Sequence, residues 1–553
     1  MKKLLRLFTG LLICPRKDRG KIKDMRKVEI YDTTLRDGAQ TEGISFSVTD
    51  KIRIIDKLVE AGIHYIEGGW PGANPKDVEL FKRLKKKKIK KSKISAFGST
   101  RYASTNVKKD KVMKGLLDSG AKYITLFGKT WDLHVKDVLR TSLPENLSMI
   151  EDSIAYLKSK NKFVIFDAEH FFDGYKNNSQ YAIRALLAAE KAGADRIVLC
   201  DTNGGTITSQ VFEIVKDVKN NLYVPIGMHA HNDNEMAVAN TIAAVQAGAS
   251  HVQGTINGYG ERCGNANLIS IIANLKLKLD IDCISDLAMK ELTEVSRYVA
   301  EISNMKHNDH QPFVGQSAFA HKAGVHVNAI LKTPASYEHV DPEKIGNKRK
   351  ILISELSGKS TIAQKAESMK IKLDKSKAHT QKILKKLQDM EHEGYQFEAA
   401  EASLELLMKR ALSKFKDFFK LIDFRVTIER SKDAKLSSKA MVKVKVGNRI
   451  ERAVSLGDGP VNALDGALRK ALNDFYPMLK QMHLADFKVR VLDEKSGTAA
   501  KVRVLIQSQD KTESWWTVGV SENIIEASWF ALADSIEYKL LKDKKTKHRS
   551  SGE

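Results

Sequence analysis

From residue 27 to about 280 the chain repeats one pattern: a short apolar or β-branched run ends in small or polar residues, and an amphipathic helical stretch follows. The runs are 28–31, 65–67, 94–97, 123–127, 163–166, 196–199, 225–228 and 251–254. Their spacing of roughly 30 residues is that of a βα unit. Four of the strands are preceded by closely similar tetrads, centred on Gly62, Gly120, Gly193 and Gly248. A glycine that closes a helix in the left-handed conformation explains the recurrence. Eight near-equal units with apolar strands predict a (β/α)8 TIM barrel over 27–285. No GxGxxG follows the first strand, which argues against a dinucleotide fold.

Beyond the barrel the texture changes. Helical periodicity over 287–305 and 360–412 predicts a mainly helical linker, 286–415. Short alternating strands then begin, at 422–428, 441–446, 487–492 and 501–507. The block 459–468 has the texture of 523–532, so the tail, 416–545, is expected to be an α+β domain made of a duplicated three-strand-plus-helix unit. Residues 1–26 carry Lys2, Lys3 and Arg6 before a short apolar stretch without a small-residue cleavage site. They are expected to be a disordered extension.

Composition narrows the field only a little. A formal charge of +24 points to anionic partners. The lysines are spread along the chain, however, and the dense spots at 85–93 and 542–547 lack interleaved aromatics. A solvated surface is therefore preferred to a nucleic-acid-binding face. No apolar run is long enough for a membrane span. Four cysteines without CxxC spacing imply reduced thiols and a cytoplasmic protein.

Chemistry is expected where barrel strands end. The first strand runs into Asp32-Thr33-Thr34-Leu35-Arg36-Asp37-Gly38-Ala39-Gln40. The seventh supplies His229 and His231, two positions apart and so on one side of the strand. The eighth leads to Gly260-Glu261-Arg262-Cys263-Gly264-Asn265. Together Asp37, His229, His231 and Asn265 offer two nitrogens and two oxygens to a divalent metal, leaving room for a bidentate ligand.

These three motifs, in this order on these strands, resemble the DRE-TIM metallolyases, and within them the 2-isopropylmalate, homocitrate and citramalate synthases. The likeness extends from Val28 to about Leu541. The stretches 65–72 and 127–132 look most like the long-form citramalate synthases. The resemblance implies a Claisen-type condensation of acetyl-CoA with a small 2-keto acid, pyruvate, on a route to isoleucine. The metal would be Mg or Mn, with Zn an alternative. Arg36 would stabilise the nascent alkoxide, and Glu169, Thr202 and Gln40 would position substrate. In the linker, His321-Lys322-Ala323-Gly324-Val325-His326-Val327-Asn328 resembles the family's linker motif. It implies that His326 and Tyr337 serve proton removal, that Asn328 binds substrate, and that the site is completed in a homodimer. The tail resembles a regulatory domain, with isoleucine as the effector implied.

Three other readings compete. A 2-isopropylmalate synthase would take the bulkier 2-ketoisovalerate; Phe97, Phe127 and Trp131 favour a smaller acid. A 3-hydroxy-3-methylglutaryl-CoA lyase would carry a catalytic cysteine near Cys263, which is read here as a small structural residue. A nucleic-acid binder rests on charge alone.

Overall fold

The computed structural model describes residues 27–352, 359–371, 377–412, 415–430, 436–492 and 500–550. The expected extension, 1–26, lies outside them. The chain divides into two compact units, one holding residues up to Phe319 with Val340–Lys348, the other Ala320–His339 with Arg349–Glu553.

In the first unit eight parallel strands close into a barrel in sequence order. They are β1 (Glu29–Asp32), β2 (Tyr65–Gly69), β3 (Lys93–Ser99), β4 (Tyr123–Lys129), β5 (Phe163–Glu169), β6 (Arg196–Asp201), β7 (Ile226–Ala230) and β8 (His251–Gly254). Closure is made by β1 on β8, with Ile30 opposite Val252 and Asp32 opposite Gly254. The main helices that follow the strands are α1 (Val48–Glu60), α2 (Pro75–Leu84), α3 (Lys111–Asp118), α4 (Leu143–Ser159), α5 (Phe171–Lys191), α6 (Thr208–Asn221), α7 (Ala237–Ala247) and α8 (Leu268–Lys278). Each strand is buried on both faces, which is why the sequence shows runs and not alternation. One face packs Ile30, Ile66, Ile124, Leu126, Val164 and Ile197 against the helices. The other fills the barrel with Tyr31, Tyr65, Ile165, Val198 and Cys200.

Gly62, Gly120, Gly193 and Gly248 all have positive φ, as the recurring tetrads predict. The expected helix 287–305 is broken: α9 (Asp286–Met289) ends before α10 (Leu292–Ile302), with Lys290 and Glu291 between them.

The second unit opens with a two-stranded parallel pair, β9 (Ala320–His321) and β10 (Lys350–Ile351), around α11 (Gly324–Lys332). Three helices follow, α12 (Lys359–Ser368), α13 (Lys377–His392) and α14 (Glu401–Ala411), in the stretch where the sequence shows helical periodicity. The tail is a duplication. Strands β11 (Lys420–Glu429), β12 (Ser437–Val446) and β13 (Arg449–Gly457) form one antiparallel sheet followed by α15 (Pro460–Leu472). Strands β14 (His483–Val491), β15 (Val502–Gln509) and β16 (Ser514–Ser521) form a second, followed by α16 (Ile524–Ser550). The two matching sequence blocks open the two helices. Both repeats feed one core, with Val442, Val444, Leu464 and Leu468 joined by Val504, Ile506, Ala527 and Leu532.

One buried ion pair secures the turn that leads out of β2. Lys51 reaches Asp77 at 2.5 Å, each side chain only 5% exposed. Lys51 also donates to the Gly68 carbonyl, and Asp77 accepts from the Trp70 N–H at 2.9 Å. Removing one partner strands the other charge in the interior. Lys51→Met is therefore expected to destabilise the barrel by about 3–5 kcal/mol, measured by urea denaturation followed through barrel tryptophan fluorescence.

Candidate active site at the barrel mouth

The end of β1 is held by its own side chains. Asp32 is buried and accepts from both the Thr34 N–H (3.0 Å) and the Thr34 hydroxyl (2.7 Å). Burial raises its pKa to about 7 against the pull of those two bonds. Arg36 and Asp37 follow this clamped turn and line the cavity at the barrel mouth.

Glu67, on β2 and fully buried, fixes Arg36. Its carboxylate accepts from Tyr31 Oη, from Thr33 Oγ1 at 2.7 Å and from Arg36 Nε. A second face of the guanidinium lies on Phe97, 3.7 Å from the ring centroid. Phe97 stacks on Phe127 at 5.3 Å, and Trp70 meets both rings edge-on at 5.8 and 5.6 Å. Arg36 also pairs with Asp37.

Across the mouth, Asn265 Nδ2 lies 3.1 Å from Asp37 Oδ2 and 3.3 Å from His229 Nε2, and His229 Nε2 lies 3.4 Å from Asp37 Oδ2. The His231 ring centroid is 5.3 Å from that of His229. Burial keeps both imidazoles neutral, lowering the His229 pKa to about 4 with help from the Arg36 charge, and His231 further still. Neutral imidazole is the form that ligates a metal. Among the described residues no three His, Cys, Asp or Glu side chains stand together as a ready cation cage. Two buried atoms nevertheless lack hydrogen-bond partners, Asn265 Oδ1 and His231 Nδ1. Turning the Asn265 amide about its axis would set its oxygen toward Asp37 and His229, an exchange of atoms that look alike. The donor set thus fits a divalent cation of the Mg, Mn or Zn kind.

The cavity between these groups measures about 200 Å³. Its lining brings together Arg36, Asp37, Gln40, Phe97, Phe127, Glu169, Thr202, His229 and His231, all singled out from sequence, beside Trp70 and Asp167. Glu169 is ion-paired with Lys129, and Thr202 Oγ1 accepts from the His170 N–H at 2.8 Å. The loop after β8 is tied down by Arg262, which grips Asp233 at 2.7 and 2.9 Å and donates to the Thr202 carbonyl. Cys263 in that loop is exposed and does not line the cavity.

Trp131 does not line it either. Its ring stacks on His134 at 5.3 Å, and the tryptophan of the wall is Trp70. The path of the two loops decides this, since both residues follow a strand. His326, Asn328 and Tyr337 belong to the second unit. There the His326 ring stacks on Tyr337 at 4.3 Å, and all three residues are exposed.

Comparison with known proteins identifies the family of the chain. Residues 27–299 match the HMGL-like family, 313–394 the homocitrate synthase post-HMGL domain-like family, and 398–540 the LeuA allosteric (dimerisation) domain. That order defines a condensing enzyme of the HMGL-like barrel class with a C-terminal allosteric-type domain. The chain is 56% identical to an (R)-citramalate synthase of Geobacter sulfurreducens and 55% identical to one of Aquifex aeolicus, in each case over 94% of this chain and 98% of the relative. A 2-isopropylmalate synthase of Methanocaldococcus jannaschii is 30% identical over 94% of this chain and 96% of its own. The chain belongs to the (R)-citramalate synthase family.

Because Glu67 holds Arg36 through a charged bond, Glu67→Gln is expected to lower kcat/KM about 100-fold, or about 2.7 kcal/mol of transition-state stabilisation. The melting temperature should fall as well, because Tyr31, Thr33 and Arg36 all lose their charged acceptor in the interior. Steady-state kinetics beside thermal unfolding checks both.

Proposed function

We propose that the barrel mouth joins the methyl carbon of acetyl-CoA to the keto carbon of pyruvate and that water then releases CoA, giving (R)-citramalate on a route to isoleucine. The observation that carries this reading is the aromatic-walled cavity lined by Arg36, Asp37, His229 and His231, with Asn265 hydrogen-bonded to Asp37. Trp70, Phe97 and Phe127 form the apolar part of the wall, against which the alkyl group of the keto acid would lie. The identities of 46–56% to five (R)-citramalate synthases support it.

A divalent cation, Mg or Mn with Zn as an alternative, held by Asp37, His229, His231 and Asn265, supplies Lewis-acid polarisation of the keto-acid carbonyl when bound. The remaining work falls to the chain. Arg36 hydrogen-bonds the carbonyl oxygen and meets the charge that grows there as the C–C bond forms. Glu169, Thr202 and Gln40 orient the keto acid. His326, with Tyr337 against its ring and Asn328 two residues along the same helix, takes a proton from the thioester methyl, and the resulting enolate carbon attacks. Water later adds to the thioester carbonyl and expels the CoA thiolate.

His326, Tyr337 and Asn328 are exposed in the second unit, and the LeuA-type domain supports a dimer. We therefore assign His326 to the barrel of a second copy, as the linker resemblance implies. The duplicated tail is the proposed isoleucine-responsive part. No helix among the described residues is long and apolar enough to cross a membrane. A cytoplasmic location is proposed on the free cysteines Cys200, Cys263 and Cys283.

Purified protein given acetyl-CoA, Mg or Mn and a panel of 2-keto acids should release CoA fastest with pyruvate, as read by a thiol reagent. Fastest release with 2-ketoisovalerate would overturn the substrate assignment, and Trp70→Ala should narrow the gap between the two acids. Shared sites have a separate signature. Unfolding and refolding Asp37→Asn together with His326→Ala, each inactive alone, should restore about a quarter of wild-type activity, since half the dimers are mixed and each carries one complete site. No recovery would place His326 on its own barrel.

A further inference from the structure

Behind His229 lies a buried chain of two hydrogen bonds that the proposed chemistry does not use. Gln253, on β8, is fully buried and faces the barrel interior. Its Oε1 is 2.9 Å from His229 Nδ1, and its Nε2 is 3.0 Å from Asp167 Oδ1. Asp167, on β5, is itself only 3% exposed. Both ends of one amide are therefore engaged by polar groups of the site, beside a second buried polar cluster of Tyr31, Glu67, Ser95 and Thr125 in the barrel interior.

We propose that Gln253 is a positioning residue that fixes the tautomer of His229, with Asp167 fixing the orientation of the Gln253 amide. The inference rests on the reading of His229 as a metal ligand. An amide oxygen and nitrogen are alike in shape, so the neighbours must decide which way Gln253 faces. Asp167 Oδ1 is an acceptor when the carboxyl is ionised or carries its proton on Oδ2; a proton on Oδ1 itself would donate to the amide oxygen and turn the amide round. As an acceptor it takes the bond from Nε2–H, so Oε1 must face His229. That oxygen has no hydrogen to give, so the proton of the neutral imidazole resides on Nδ1. The Nε2 lone pair is thereby left free on the side where Asp37 Oδ2 and Asn265 converge, at 3.4 and 3.3 Å. The opposite tautomer would put a hydrogen on Nε2, in the direction from which a cation is held. A hydrogen-bond partner on the remote nitrogen of a metal-ligating histidine commonly supports affinity by this means.

Two measurements test the relay. In metal-free wild-type protein, long-range proton–nitrogen NMR of the imidazoles, with His229 identified by the signal lost in His229→Asn, should show the Nδ1–H form. The Nε2–H form would overturn the proposal, and this measurement needs no variant of Gln253 to fold. Free Mn(II) is then followed by electron paramagnetic resonance during titration of the full-length protein. Gln253→Met, which keeps the length and has no acceptor oxygen, should weaken Mn(II) binding about 10- to 100-fold. Gln253→Glu, whose carboxylate still accepts from Nδ1–H, should stay within a few-fold of wild type. Equal affinity for Gln253→Met and wild type, or equal losses for Met and Glu, would overturn the role. Wild-type protein that binds no Mn(II), or binds it no better than His229→Asn, would instead sink the ligand assignment, while the tautomer, read without metal, still decides the relay.

Discussion

A carboxylate with no access to water organises this barrel mouth. Glu67 takes hydrogen bonds from Tyr31 inside the barrel, from Thr33 at the turn and from Arg36 at the cavity, so three successive levels of β1 and its loop converge on one residue of β2. A buried charge is costly unless its partners are complete, and this one is satisfied by two hydroxyls and a guanidinium. The requirement works in both directions. Arg36 can present a fixed positive face to the cavity because Glu67 has already removed its freedom, and the turn after β1 has one arrangement because any other leaves Glu67 unpaired.

The same logic recurs at smaller scale around the mouth. Asp32 closes its own loop through Thr34, Asp77 holds the backbone of Trp70, and Arg262 pins the last loop to Asp233 and Thr202. Loops set on a rigid sheet are the usual place for chemistry, and here each is braced by at least one short-range polar contact. The apolar shell between strands and helices carries the weight of folding, and these few polar clamps determine where the functional side chains point.

Much of the barrel was legible in the sequence because strands buried on both faces produce apolar runs, and the left-handed glycines mark where each preceding helix stops. The tail was legible in part. The first two strands of each repeat have alternating patterns, whereas β13 interleaves Arg449, Glu451 and Arg452 with its apolar residues and β16 follows without a strong turn signal. The break between α9 and α10 was invisible, since Lys290 and Glu291 are ordinary helix formers. Within the site, the residues that follow strands could be found by position. Glu67 and Gln253 could not, because each sits inside a run that reads as plain strand, and only the pleat shows which face it takes. Trp131 drew attention in place of Trp70 for a similar reason: sequence shows that an aromatic follows a strand, but the loop's path decides whether it meets the cavity.

The Arg36 guanidinium rests on the ring of Phe97, and that ring also forms part of the wall against which the keto acid must fit. Selectivity and rate therefore share an atom-level support. On the role proposed for Arg36, a lineage drifting toward larger substrates by shrinking Phe97 would remove the support of that guanidinium in the same step. In this barrel the direction from which new substrates can be acquired is set by which aromatic residue a cation happens to lean on.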